Sequence, residues 1–344
     1  GLSAAANTFG GISVFDTNTN TNTVLAQYNF GGGSDTFFTA DLTRLYAATF
    51  RNGIAAVDAI TLKELPRIQL PQNAFHHQIA IDPQDRFLFV GSPGNTIYIV
   101  DIRPNSPTFH TTLSTVVLPR ERRVATGITV NADGSKLLVS TGTEYDDGYL
   151  TVFDLDWSKA PTQENPSSAE FATLLQDDSV GGIPQAIHAT SNAQHAAFTY
   201  RYRVSSYTPY GSFNGGFQPN LLKFGTVTFT ADGYSIDKVS TFHEGGISPF
   251  HQSFPYPGYY TDVLTPRDIV VAHDLSAAYI AEWELFLVQG YGGQRGDKVG
   301  VVSDPFGIAG GPVYLGSTTP IDFGCTTNVS LIGDVSRLFA SYGC

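Results

Sequence analysis

The chain has 344 residues, 42% hydrophobic, 12% aromatic and only 15% charged, with 35 Gly, 19 Pro and a formal net charge of −12. That charge argues against nucleic acid or an anionic membrane surface as a partner, since either would meet net repulsion before contact. No apolar run approaches the roughly 18 residues a membrane helix needs, so no membrane insertion is expected.

Low charge with abundant Gly and Pro suits many strands joined by turns, and residues 1–344 read as one domain, expected to be monomeric. With no Met, the chain reads as a mature secreted protein or a module of a larger surface protein. Secretion, the cell surface or the periplasm is the expected location.

Taken in chain order, the predicted elements repeat. "GISVFD" at Gly11 is a strand ending in Asp. A polar turn feeding a strand then recurs as "ADLTRLYAATF" at Ala40, "DPQDRFLFVGS" at Asp82, "NADGSKLLVST" at Asn131, "TSNAQHAAFTY" at Thr190, "HDLSAAYIAEW" at His273 and "GDVSRLFASYG" at Gly333. After the first five comes a further strand: "GIAAVD" at Gly53, "TIYIVD" at Thr96, "YLTVFD" at Tyr149, "GTVTFT" at Gly225 and "KVGVVSD" at Lys298. The unit from Gln78 reads as an inner strand ("QIAID"), a second ("RFLFVG"), a third ("IYIVD") and an outer fourth, all antiparallel. This predicts an all-β, six-bladed β-propeller with four strands per blade. "GISVFD" is expected to pair with the strand at Arg337, so that both termini close the last blade.

The unit resembles the YVTN-type propeller repeat, as "IAIDPQDRFLFVGS" with "TIYIVD" and "ITVNADGSKLLVST" with "LTVFD" show. The fourth unit departs from it, with Thr230 where Asp would fall. The resemblance implies surface-layer or secreted bacterial proteins on one side and lactonase-like enzymes on the other.

If loops alternate between two faces, one face collects the long insertions beginning at Tyr200, His243 and Glu282, from units four and five. They concentrate rings with polar tips among Gly and Pro, which suits a glycan- or protein-binding surface. The expected contacts are Arg201, Tyr202, Arg203, Tyr207, Tyr210, Phe250, His251, Tyr256, Tyr259, Tyr260, Trp283 and Tyr291. The expectation is thus a binding module rather than an enzyme.

The alternative is a lactonase-like hydrolase or lyase at the mouth of the central channel. Inner-strand starts place Asp35, His77, Thr126, Gln185, Arg267 and Thr327 in one polar ring, followed by Thr36, Gln78, Gly127, Ala186, Asp268 and Asn328. His77, Arg267 and Asp268 are the candidates for acid–base chemistry there. No cofactor is expected. Asp146, Asp147, Asp177 and Asp178 are weak candidates for a hard cation such as Ca2+. Calcium-dependent lactonases would imply Glu, Asn and Asp from the inner strands, and the equivalent ring holds Asp35, Asp268 and Asn328 but no Glu. Cys325 and Cys344 flank the last hairpin and are expected to form a disulfide in an oxidising compartment.

Overall fold

The computed structural model describes residues 2–7, 11–16, 23–30, 33–49, 53–70, 78–92, 94–119, 124–142, 148–167, 169–201, 221–243, 261–287, 295–317, 321–322, 326–332 and 337–342. Strands β1 (Leu2–Asn7), β2 (Gly11–Asp16) and β3 (Thr23–Tyr28) form an N-terminal sheet. Five antiparallel blades follow. Blade 1 contains β4 (Gly33–Phe38), β5 (Arg44–Thr49), β6 (Ile54–Asp58) and β7 (Lys63–Ile68). Blade 2 contains β8 (Ile79–Ile81), β9 (Phe87–Gly91), β10 (Thr96–Asp101) and β11 (Thr112–Val117). Blade 3 contains β12 (Val124–Val130), β13 (Lys136–Gly142), β14 (Tyr149–Leu155) and β15 (Ala172–Ser179). Blade 4 contains β16 (Ile183–Ala189), β17 (His195–Arg201), β18 (Leu221–Thr230) and β19 (Gly233–His243). Blade 5 contains β20 (Thr261–Val271), β21 (Ala277–Leu287), β22 (Arg295–Ser303) and β23 (Val313–Ser317), with short β24 (Ile321–Asp322) also on β22. A C-terminal pair, β25 (Thr326–Ile332) and β26 (Arg337–Tyr342), completes the order. Among the described residues the sole helical element is a 3₁₀ turn at Trp157–Lys159, and no helix is long and apolar enough to cross a membrane.

The chain folds as an all-β propeller, and the burial pattern shows why its sequence reads as near-continuous apolar runs. Strands β5, β9 and β13 are buried along their whole length, whereas outer β7 is mostly exposed. A blade is covered on both faces by its neighbours, so its second strand hides both sets of side chains. Leu88 and Val90 pack towards blade 1 with Tyr46 and Ile54. Phe87 and Phe89, one residue out of phase, pack towards blade 3 with Leu137, Val139 and Phe153. Each such side chain contributes roughly 1.5–3 kcal/mol of apolar transfer.

The repeated turn has its own geometry. Leu42, Asp85, Gly134, Ala193 and Leu275 occupy equivalent turn positions with φ of 57°, 56°, 76°, 60° and 62°. Side chains of the same turns tie blades together. Asp85 Oδ1 accepts from Ala40 N (2.8 Å), Asn131 Nδ2 donates to Ala193 O (3.1 Å), and Ser191 Oγ donates to His273 O (3.0 Å).

Two expectations are corrected. Among the described residues five blades of at least four strands are present rather than six, and "GISVFD" does not pair with the strand at Arg337. It is β2, whose neighbours are β1 and β3, while β26 pairs with β25. Val14 and Leu338 therefore lie in different sheets. The physical reason is loop closure. Residues 2–7 offer β2 a partner with only three residues between them in sequence, and that costs far less entropy than pairing across the length of the chain. The repeated turn-and-strand units themselves are found as read, as the hairpins β4–β5, β8–β9, β12–β13, β16–β17, β20–β21 and β25–β26.

Candidate active site at the channel mouth

The first strands of the blades meet one another, with β25 and β1, in a ring, and in four blades the pairing with the second strand slips by one residue. The slips fall between Gly33 and Asp35, Ala125 and Gly127, Pro184 and Ala186, and Pro266 and Asp268. The C-terminal pair slips between Thr326 and Asn328. Such bulges re-aim side chains at the rims of closed sheets. Ser34, Thr126, Gln185, Arg267 and Thr327 are the extra residues.

The residues just after each slip share one tier, opposite Ala48, Ser140, Thr199, Ala281 and Ser341. Asp35, Gly127, Ala186, Asp268 and Asn328 occupy it. Asp35 was expected in the ring of His77 and Arg267, one residue away. The bulges move it level with Asp268. Counting back from the turn residue exposes this in the sequence, because Asp35 precedes Leu42 by as many residues as Asp268 precedes Leu275.

Asp35 is half-buried and held by two backbone donors, Thr36 N to Oδ1 at 2.9 Å and Ile79 N of blade 2 to Oδ2 at 3.1 Å. Burial raises its pKa well above the ordinary carboxylate value, and the charge of Asp268 raises it further against the pull of those two donors. Asp268 Oδ1 accepts from Ile269 N at 2.8 Å. β4 and β20 are not neighbours in the ring of inner strands, so the two carboxyls act on each other through the channel. The like charge of Asp268 thus adds to burial in disfavouring the ionised form of Asp35.

Two residues further along β16 than Ala186 stands His188, which sequence reading did not single out. Burial, then the charge of His273, lowers its pKa to about 4, so it is neutral. Its Nδ1 has no hydrogen-bond partner among the described residues. Thr126 Oγ1 lies 3.1 Å from Ser140 Oγ, and the Gln185 amide donates to Pro184 O at 3.1 Å. The described part of this tier thus offers two carboxyls, with the Thr126 hydroxyl and the Gln185 amide one residue before it.

The other candidates do not join this site. His77, Tyr202, Arg203, Tyr207, Tyr210, Phe250, His251, Tyr256, Tyr259, Tyr260 and Tyr291 lie outside the described residues, as do Asp146, Asp147, Cys325 and Cys344. Arg201, Arg267 and Trp283 are placed by backbone alone, in β17, β20 and β21. Asp177 and Asp178 stand on outer strand β15, where Asp177 Oδ1 accepts from Thr151 Oγ1 (2.7 Å) and Asp178 Oδ2 from Gln176 Nε2 (2.5 Å). Among the described residues no three His, Cys, Asp or Glu side chains converge as a metal site would require.

No family model matches the chain, and no curated protein matches it. Its fold does match solved structures. A candidate 6-phosphogluconolactonase from Bacteroides fragilis superposes with a TM-score of 0.65 at 13% identity, over 98% of this chain and 87% of that one. A chain of the mitotic checkpoint complex superposes with a TM-score of 0.59 at 11% identity, over 99% of this chain and 80% of that one. At such identities the likeness is one of fold.

Proposed function

We propose that the protein is a lactonase-like hydrolase acting on a small sugar lactone at the channel mouth. The observation that carries this reading is the pair Asp35 and Asp268, level in one tier and coupled through the channel. The lactonase description of one structural neighbour supports the choice of substrate class.

In this mechanism the Asp268 carboxylate takes a proton from water as the water oxygen bonds to the lactone carbonyl carbon. The tetrahedral intermediate collapses, the bond from carbon to ring oxygen breaks, and protonated Asp35 delivers its proton to the departing alkoxide. The products are a hydroxy acid and a pair whose single proton has moved from Asp35 to Asp268, and its return restores the site. Environments that separate the proton affinities of two carboxyls suit them to acid and base roles.

The test is turnover of gluconolactone and its 6-phosphate by the purified chain, with base uptake measured at constant pH. Asp35→Asn and Asp268→Asn should each lower kcat/KM by about 10²–10⁴-fold, the usual worth of a positioned acid or base. Full activity in both variants, or no turnover of any lactone by the native chain, would overturn the reading.

A further inference from the structure

Among the described residues, the perimeter beside blade 5 lacks two strands that every complete blade has, which leaves a notch there. Every blade carries two strands outside its second, whereas the C-terminal pair consists of β25 and β26. Among the described residues β26 pairs with β25 alone, and the other row of its peptide groups has no strand partner among them. The pair sits between blade 5 and the N-terminal sheet, since β25 lies against β20, β21 and β1, and β26 against β1. At the usual spacing of about 4.8 Å, two further strands would occupy roughly 10 Å.

One wall of the notch is apolar and uncovered. Val302 packs towards blade 4 with Ala197 and Phe224. Alternation along β22 turns Val301 and Ser303 the opposite way, and Val313, paired with Ser303, follows them. Leu315 is the bulge residue of β23, lying between the pairs Val301–Gly316 and Val302–Tyr314.

The blades themselves show what belongs against it. The corresponding bulge residue of blade 2, between the pairs Ile99–Ser114 and Val100–Thr112, is Leu113. Leu113 is 8% exposed because Phe153 and Phe171, from the third strand of blade 3 and the segment leading to its fourth, belong to the cluster that buries it. Leu175 of blade 3 is likewise packed on the cluster that joins blades 3 and 4. Leu315 is 66% exposed and Val313 54%. On the opposite wall Val24 is paired with Phe15, out of phase with Val14, which packs on blade 1, and is 46% exposed.

We propose that this notch binds a β-hairpin of a partner polypeptide, whose inner strand hydrogen-bonds along β26 and whose alternate apolar side chains cover Leu315 and Val313. An open edge next to an apolar wall is the setting in which strand addition occurs. The chain's net charge of −12 favours a hairpin with basic residues at its solvent-facing positions. Sheet completion also explains why large apolar side chains stand exposed on both flanks.

The experiment uses the whole chain and a synthetic peptide copying residues 96–117, which already form the outer hairpin of blade 2, with Lys in place of the exposed Thr111 and Val117. Amide exchange in residues 337–342 should slow about tenfold or more on adding the peptide. Binding should be lost in Leu315→Asp and kept in Leu174→Asp, a control on the exposed outer strand of blade 3. Unchanged exchange, or binding indifferent to Leu315→Asp, would overturn the proposal. So would a dimer of the chain alone that Leu315→Asp dissolves, because a second copy would then fill the notch. Exchange in the native chain keeps the test decisive should either variant misfold.

Discussion

Burial and charge at single residues lead to pH effects whose signs can be worked out. Asp35 has a raised pKa in the folded chain, so between the unfolded value of about 3.9 and the folded one the native state holds a proton that the unfolded state has lost. Stability from this group therefore falls as pH rises through that window, and Asp35→Asn removes the fall. The difference in melting temperature between variant and native chain should shift in the variant's favour from pH 4 to pH 7, and a constant difference would contradict the assignment.

His110 works in the other direction. It is clamped by Tyr46 Oη on Nε2 and Pro66 O on Nδ1, both at 3.0 Å, and burial, aided by the Arg44 charge, lowers its pKa to about 4. The unfolded chain takes up this proton near pH 6.5, so stability is lost as pH falls from about 6.5 to 4. His110→Gln should make urea midpoints less sensitive to pH across that interval. Asp268 was legible in the sequence as a site residue. Asp35 was legible beside it as a ring carboxylate but not as an acid, because its burial and its exposure to the charge of Asp268 exist only in the folded ring.

The turn and strand elements respond to backbone geometry more than to chemistry. Leu42 is 48% exposed yet sits at φ 57°, a left-handed conformation that costs a residue with a Cβ about 1 kcal/mol. Leu42→Gly should stabilise the chain by roughly 0.5–1 kcal/mol in chemical denaturation, and a loss of that size would show that the side chain packs usefully. Gly225 gives the contrary case. A Cβ there would lie 2.3 Å from the Phe198 ring, so Gly225→Ala should destabilise by about 3 kcal/mol. Turns such as "DLTR" and "ADGS" announced themselves through Asp, Gly and Ser followed by an apolar run. Strand β1, "LSAAAN", was missed because Ala, Ser and Asn carry little strand propensity, and only its partner β2 makes it a strand.

At the scale of the whole molecule, the repeats made the propeller legible, and they did so because each blade must present the same two apolar faces to its neighbours. The number of complete blades was not legible, since it depends on a competition between a local hairpin and a distant strand that no periodicity records. The propeller gathers residues remote in sequence into one channel, and that gathering is what joins Asp35 of blade 1 to Asp268 of blade 5. The pH dependence of kcat/KM for lactone hydrolysis tests this directly. A bell-shaped profile is predicted for the native chain, with a basic limb set by loss of the Asp35 proton and absent from the residual activity of Asp35→Asn. A native profile without that limb, or the same limb in the variant, would contradict the account.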